Sequence, residues 1–301
     1  MSEAAQLVED GLVVVDSPLG PLTTYKTGGP ARFYSRPESR EQLLRLSAFV
    51  AGSGVPVLVV GRGSNLLVSD SGFDGLVIHI AEPFSYLKTS GLWVETGAGT
   101  PLPRLARGSV EAGIAGLEFF VGIPGSVGGA VRQNAGCFGV ETRDRLEAAV
   151  ILDLHNASEA TVGPDDLEMS YRHSNVGSGH LVVSAVFRGT SDDVSTSGDE
   201  LKKITRWRKE NQPGGTLNAG SVFKNPEGTS AGYIIDRAGL KGLSVGEVSV
   251  SEKHANFFVA GKGASSRDVR SLILEVQRIV GEQMGVELEL EIQLVGFDHD
   301  D

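Results

Sequence analysis

Gly122-Ile123-Pro124-Gly125-Ser126-Val127-Gly128-Gly129-Ala130-Val131-Arg132-Gln133-Asn134-Ala135-Gly136-Cys137-Phe138-Gly139 is the stretch on which the reading of this chain turns. Six of its 18 residues are glycine, where average usage of about 7% would give roughly one. It is nearly free of charge and carries two side-chain amides, Gln133 and Asn134. Glycine at this density permits positive φ and close approach of backbone to a bulky group, and small residues suit a backbone anion nest. Composition alone leaves a turn-rich surface loop and a ligand cradle both open. The run is too long for a turn, and it follows the apolar Leu117, Phe119, Phe120 and Val121. The expectation is therefore backbone wrapped around a phosphate-bearing cofactor.

Two further segments have the same character. Thr23 to Ala31 holds Tyr25, Thr27, Gly28 and Gly29 among small residues. Val55 to Val60 is a short apolar run of the buried-strand type, and it opens directly into Gly61-Arg62-Gly63-Ser64-Asn65-Leu66-Leu67-Val68. A strand running into a glycine and hydroxyl loop is a context in which phosphates are bound. Neither standard nucleotide motif fits: Leu66 stands at the third glycine position of the dinucleotide fingerprint, and no GxxxxGK[ST] occurs.

With 301 residues the chain exceeds the usual size of a single core, so two or three domains are expected. A net charge of −11 argues against a nucleic-acid partner, which would call for a basic patch. The single cysteine, Cys137, excludes an internal disulfide and a cysteine-based zinc site. The first twenty residues lack the apolar run of a signal peptide, and no window reaches the ~18 apolar residues of a spanning helix. A cytoplasmic protein with no membrane insertion is expected.

Residues 1–20 read as a mobile lead-in. Ser39 and Gln42 have capping-box spacing ahead of a helix with Leu43, Leu46 and Val50 on one face, ended by Gly52 or Gly54. Leu76–Ile80, Leu92–Thr96, Leu146–Leu154 and Leu181–Phe187 read as strands, and Thr100-Pro101 starts another helix. The Ser-, Asp- and Gly-rich run 189–199 is the best linker and carries the expected domain boundary. Beyond it, helices are expected over Asp199–Glu210, over Ala231–Ala238 and from Ser265 onward. The chain closes in strict alternation, with Val286, Leu288, Leu290, Ile292 and Leu294 facing one way and Glu287, Glu289, Glu291 and Gln293 the other.

The motifs occur in one characteristic order. Gly63-Ser64-Asn65-Leu66-Leu67 is followed by Gly122–Gly129, Asn134-Ala135-Gly136 and Tyr171-Arg172-His173-Ser174. Then come Gly220-Ser221-Val222-Phe223-Lys224-Asn225-Pro226, Ala238–Gly242 and Ser251-Glu252-Lys253-His254-Ala255-Asn256-Phe257. Over about residues 20–296 the chain resembles the UDP-N-acetylenolpyruvoylglucosamine reductase family, in the compact form that lacks an extra substrate-capping loop. The resemblance implies an α+β protein: a two-part FAD-binding domain of the vanillyl-alcohol-oxidase (PCMH) type plus a C-terminal α+β substrate-binding domain. The corresponding boundaries are 1–82 and 83–190 for the two flavin subdomains and 199–286 for the substrate domain, with the terminal strand 287–301 joining the first.

The resemblance further implies non-covalent FAD as cofactor and NADPH as reductant. FAD would be lined by Tyr25 and Gly28, by Gly61, Arg62, Gly63, Ser64, Asn65 and Leu66, and by Gly122, Ile123, Pro124, Gly125, Ser126, Gly128, Gly129, Asn134, Ala135 and Gly136. The substrate would be UDP-N-acetylglucosamine enolpyruvate, reduced to UDP-N-acetylmuramate for peptidoglycan synthesis. Hydride would pass from flavin N5 to C3, and a proton from Ser221 to C2. Arg172 matches the family's active-site arginine, whose planar fork suits a carboxylate. Glu291 matches the third catalytic residue, with Glu289 its nearest competitor on the same strand face. Beside a substrate carboxylate, like charge would favour its protonated, hydrogen-bond-donating form. Lys224, Asn225, Lys253 and His254 are candidates for the substrate's diphosphate and carboxylate. Arg208 and Gln212 match the pattern ahead of the serine without an assigned role, and Cys137 reads as a packing residue. Two other readings compete. A related FAD oxidase or dehydrogenase would not need the C-terminal motifs, and a nucleotide-sugar sensor would not need a proton donor.

Overall fold

The computed structural model describes residues 3–191 and 194–297. The chain forms two compact units: Met1–Asp16, Arg32–Arg62 and Gly75–Arg206 make the first, and Ser17–Ala31, Gly63–Asp74 and Trp207–Asp301 the second. Each has a hydrophobic core of its own.

In the first unit, the helix Arg40–Ser53 starts as the sequence dictates: the Ser39 hydroxyl accepts from Gln42 N–H at 3.2 Å. The return bond differs from a strict capping box, because the Gln42 side chain accepts from Glu38 N–H instead. The helix ends at Gly54, in the left-handed conformation, and buries Leu43, Leu46, Phe49 and Val50. The apolar strand Val57–Val60 pairs in parallel with Phe73–His79, completing the sheet order Val14–Pro18, Pro30–Ser35, Phe73–His79, Val57–Val60. A second sheet runs Ser158–Val162, Leu146–Asp153, His180–Arg188, Trp93–Gly97, Leu87–Ser90, with antiparallel neighbours throughout. The expected strands are thus present, shifted by one to three residues.

The glycine-rich stretch is not one continuous loop. It leaves the 3-10 turn Glu118–Gly122, forms the short helix Val127–Gln133, and closes in the hairpin Gly136–Cys137 with Val140–Glu141. A Cβ at Gly128 would stand 3.1 Å from the Ala98 side chain, so this glycine allows the helix to press onto the sheet. From residue 3 onward the lead-in is ordered rather than mobile, and residues 1 and 2 lie outside the described residues. Glu3–Glu9 is helical and buries Leu7, which joins Leu12 and Val13 in the core. Burial of those three residues ties the segment to the core.

In the second unit, Ser244–Val245, Val248–Val250 and Phe258–Ala260 form an antiparallel sheet. The helix Ser266–Met284 carries a full capping box: Asp268 N–H donates to the Ser265 hydroxyl at 3.0 Å, and Ser265 N–H to the Asp268 carboxylate at 3.1 Å. It buries Val269, Leu272, Ile273, Val276 and Val280, the face set by the sequence, and stops at Gly285. Among the described residues, regular strand at the C-terminus is confined to Gln293–Val295, which pairs in parallel with Leu66–Val68. The expected longer strand is corrected: residues 286–292 pair irregularly with 222–224, through Lys224 N–H to Glu289 O and Glu291 N–H to Val222 O, each 2.8 Å. Burial still alternates, with Leu288 and Ile292 inside.

The helix after the linker is Val194–Asn211, five residues longer at its start than expected. Of the linker 189–199, residues 192 and 193 lie outside the described residues, as do 298–301 of the terminal segment. Within the helix Val194–Asn211 the chain passes for the last time from the first unit to the second, between Arg206 and Trp207.

Candidate active site

Of the three expected catalytic residues, two, Ser221 and Glu291, lie in the second unit, on segments joined by the Glu291 N–H to Val222 O bond. Ser221 follows Gly220, whose φ of 78° turns the chain and whose N–H donates to the Asn218 side chain at 3.0 Å. Ser221 is half-buried and bridges to Phe257. Asn256, fully buried, fixes that strand: its amide accepts from Phe223 N–H at 2.9 Å and donates to Phe223 O at 2.8 Å, while its carbonyl accepts from Val222 N–H. Glu291 lies on the segment paired with Val222. It is half-buried, whereas the Glu289 side chain is 72% exposed and pairs with Lys224 at 2.5 Å. The distinction between the two glutamates is therefore one of burial and partner.

Four expected ligand-binding side chains in this unit already have partners. Lys224 holds Glu289, and Lys253 Nζ donates to Lys209 O at 2.6 Å. Asn225 accepts from Ala231 N–H at 3.1 Å. His254 accepts from Asn256 N–H at 3.3 Å and meets the Phe257 ring edge-on at 4.7 Å. Burial holds the His254 imidazole below its ordinary range, Lys241 adds to that, and a backbone hydrogen bond opposes it. Arg208 bonds Gln212 at 2.8 Å, a contact along one helix turn.

The loop Gly63–Leu66 is shaped by its surroundings. Gly63 has φ 58°, and a Cβ there would run into the Leu22 carbonyl, so only glycine fits. Thr24 N–H donates to Gly63 O at 3.1 Å, and Ser64 is half-buried. Asn65 donates to Glu291 O at 3.0 Å. Gly28 packs on Val68. Tyr25 is 1% exposed and belongs to the core with Leu67, Val222 and Phe223. Only its hydroxyl could reach a ligand. That hydroxyl lies against the Ala219 backbone without a full hydrogen bond, and burial pushes its pKa up. The Thr27 hydroxyl is likewise buried and unpartnered within the protein.

In the first unit, Gly61 presses on the Ser126 hydroxyl, and Arg62 is exposed. The helix start is not an open row of donors: Val127 N–H serves Thr100 O and Gly128 N–H serves Ala98 O, at 3.0 and 2.8 Å. Gly125 O accepts from Leu102 N–H. A Cβ at Gly129 would meet nothing closer than the Ser126 hydroxyl at 3.8 Å, so space remains there. Gly122 packs on Cys137, whose thiol donates to Phe119 O at 3.1 Å. Ile123 N–H bonds Phe120 O, and Pro124 follows it exposed. Ala135 O accepts both Thr142 N–H and its hydroxyl.

Asn134 turns its amide inward. Fully buried, with φ 42°, it donates to Glu141 and to Ser170 O at 2.8 Å each, and accepts from Arg143 N–H at 2.9 Å. Arg172 has φ 52°, donates to Gly136 O at 2.9 Å, sits 5.0 Å over the Tyr171 ring and stands 3.8 Å from Glu141. The sequence did not single out Glu141. Nor did it single out His79, whose ring meets the Tyr34 hydroxyl at 2.9 Å.

Within the second unit, the buried Tyr25 and Thr27 hydroxyls fit a polar ligand, and within the first, the space at Gly129 leaves room for one. Residues 31–155 match the model of the FAD binding domain, and residues 212–295 that of the UDP-N-acetylenolpyruvoylglucosamine reductase C-terminal domain. The molecule is therefore an α+β flavoprotein oxidoreductase with FAD as its cofactor. It is 41% identical over 290 residues to the UDP-N-acetylenolpyruvoylglucosamine reductase of Paramagnetospirillum magneticum, covering 96% of this chain and 94% of that one. The reductase of Agathobacter rectalis is 41% identical over 308 residues, with 98% and 97% covered. The crystal structure of the Thermus caldophilus reductase is similar with a TM-score of 0.80 at 37% identity, over 94% of this chain and 98% of that one. The chain belongs to the UDP-N-acetylenolpyruvoylglucosamine reductase family.

Proposed function

We propose that the protein reduces UDP-N-acetylglucosamine enolpyruvate to UDP-N-acetylmuramate, with NADPH as reductant, in peptidoglycan precursor synthesis. FAD, when bound, would supply the hydride chemistry between NADPH and C3 of the enol ether. The remaining work falls to the chain. Negative charge gathers on C2 and the adjoining carboxylate, and the Arg172 guanidinium offers a fork matched to that carboxylate. Ser221 gives its hydroxyl proton to C2. A serine is a weak acid, so its reaction depends on groups that stabilise the alkoxide it leaves. Glu291 acts beside it as the third catalytic residue.

Lys224, Asn225, Lys253 and His254 serve the diphosphate and carboxylate, and Lys224 must exchange Glu289 for the substrate to do so. Gly61–Leu66 and Gly122–Gly136 line the FAD, with Tyr25 contributing its hydroxyl and Gly28 beside it. On the same reading, 1–82 and 83–190 are flavin subdomains, 199–286 is the substrate domain, and the protein is cytoplasmic.

The observation that carries the reading is the pairing of Glu291 N–H with Val222 O at 2.8 Å, which sets a half-buried carboxylate residue beside the strand of Ser221. The test is anaerobic mixing of the yellow protein with NADPH and then with the enolpyruvyl nucleotide. The flavin band should bleach and then return rapidly. Bleaching without return would keep the flavoprotein and discard the substrate.

A further inference from the structure

Arg172 is the tip residue of a turn closed by reciprocal Ser170 and His173 backbone bonds, each 3.1 Å. Its φ of 52° is one that non-glycine residues rarely adopt, so the surroundings must hold it. The turn is fastened at three points, two at the end of the helix Val127–Gln133 and one in the 3-10 turn Thr142–Asp144. Asn134 donates to Ser170 O at 2.8 Å, Arg143 to Met169 O at 2.6 Å, and the Ser174 hydroxyl to Arg132 O at 2.6 Å.

Glu141 faces the guanidinium from the neighbouring hairpin. One carboxylate oxygen accepts from the Asn134 amide at 2.8 Å, and the side chain also accepts from Asp144 N–H in a capping box. Two neutral donors thus fix the carboxylate before any cation is considered. Its other oxygen stands 3.8 Å from Arg172 Nη1, beyond hydrogen-bond range but within Coulombic reach, and both side chains are largely shielded, 17% and 26% exposed. A tight bidentate pair would occupy the fork that a ligand carboxylate needs. At 3.8 Å the Glu141 charge steers the guanidinium without forming a bidentate pair with it, and Arg172 Nη2 donates to Gly136 O.

We propose that Glu141 is a positioning residue for Arg172, and that Asn134, by gripping Glu141, ties the direction of the guanidinium to the end of the glycine-rich stretch. The inference rests on the reading of Arg172 as the arginine that meets the substrate carboxylate.

The experiment compares Glu141→Gln, Glu141→Asp, Arg172→Lys and the Glu141→Gln/Arg172→Lys double variant as FAD-loaded proteins. Glutamine keeps an acceptor for Asn134 and removes the charge. Glu141→Gln should lower the rate of flavin reoxidation by the enolpyruvyl nucleotide about tenfold. The FAD dissociation constant, from quenching of flavin fluorescence, and flavin reduction by NADPH should stay within about twofold, and KM within about threefold. Glu141→Asp should keep more of the reoxidation rate than Glu141→Gln. Arg172→Lys should cost less in the Glu141→Gln background than alone, because the two act as one unit.

Wild-type reoxidation in Glu141→Gln, additive effects in the double variant, or Glu141→Asp no better than Glu141→Gln would each overturn the proposal. So would a loss of FAD affinity that parallels the loss of rate, since Glu141 would then serve the cradle. Arg172→Lys turning over at the wild-type rate would remove the underlying reading of Arg172. A slowed Arg172→Lys with an unaffected Glu141→Gln would remove this inference alone.

Discussion

The side-chain amide of Asn65 donates to the main-chain carbonyl of Glu291 at 3.0 Å, across 226 residues of sequence. Gln293 N–H returns to Asn65 O at 2.9 Å, and the parallel pairing of Leu66–Val68 with Gln293–Val295 continues from there. One residue of the expected flavin loop thus sets the backbone of the expected catalytic carboxylate. Asn65→Ala should cost about 1 kcal/mol of stability for the lost bond. It should also weaken FAD binding and slow reoxidation together. Urea denaturation, flavin-fluorescence titration and stopped-flow absorbance measure the three effects, and a change in one of the two functional readouts without the other would separate the loop from Glu291.

Glu289 and Glu291 should respond unequally to the same substitution. An exposed ion pair such as Glu289 with Lys224 contributes about 0–1 kcal/mol. Glu289→Gln should therefore leave turnover within about twofold, while Glu291→Gln should lower it on the order of a hundredfold. Steady-state kinetics decide between them; equal losses would remove the preference for Glu291.

Asn256→Leu should destabilise the second unit. The amide satisfies both the N–H and the carbonyl of Phe223 in a buried setting. Leaving those two groups unpaired costs about 1–3 kcal/mol each, and the strand carrying Ser221 loses its clamp. The predicted result is a lower melting temperature together with a reduced rate in the protein that remains folded.

Acidification should weaken the fold through two histidines. Burial, and then the Arg36 charge, hold His79 below its ordinary 6.5, with the Gly61 backbone opposing. The Tyr34 hydroxyl is its side-chain partner. His254 is lowered by burial and by Lys241. The unfolded chain therefore takes up these protons first as pH falls below 6.5. Stability is fully present above that value and is lost as pH falls toward the depressed folded-state values, with a slope of at most about 1.4 kcal/mol per pH unit for each histidine. His79→Gln and His254→Gln should each flatten the slope measured by urea denaturation between pH 7 and about pH 5; an unchanged slope in both would remove the assignment.

Much of the local structure was legible in advance. Ser39 and Ser265 mark helix starts because a hydroxyl there meets an N–H three residues on, which needs no tertiary partner. The apolar run at Val57–Val60 and the inner face of Ser266–Met284 follow from periodicity. The ordered order of motifs was enough to indicate the family. The helix Glu3–Glu9 was not legible, because its order comes from burying Leu7 rather than from any signal within it. The inward turn of Asn134 was hidden for a similar reason, since its partners Glu141, Arg143 and Ser170 come from two separate segments.

The sequence by itself determined the elements whose causes are local, and it determined that Glu287, Glu289 and Glu291 share one face of an alternating segment. Periodicity alone does not choose among them, since a period of two treats all three alike, and only the family resemblance singled out Glu291. The tertiary structure separates Glu289 from Glu291 by burial and partner. Val222 and Asn65, both remote in sequence, take up the backbone of Glu291, while Glu289 remains in solvent against Lys224. Which glutamate is drawn inward depends on which strands lie beside it, and only the folded chain brings those strands together.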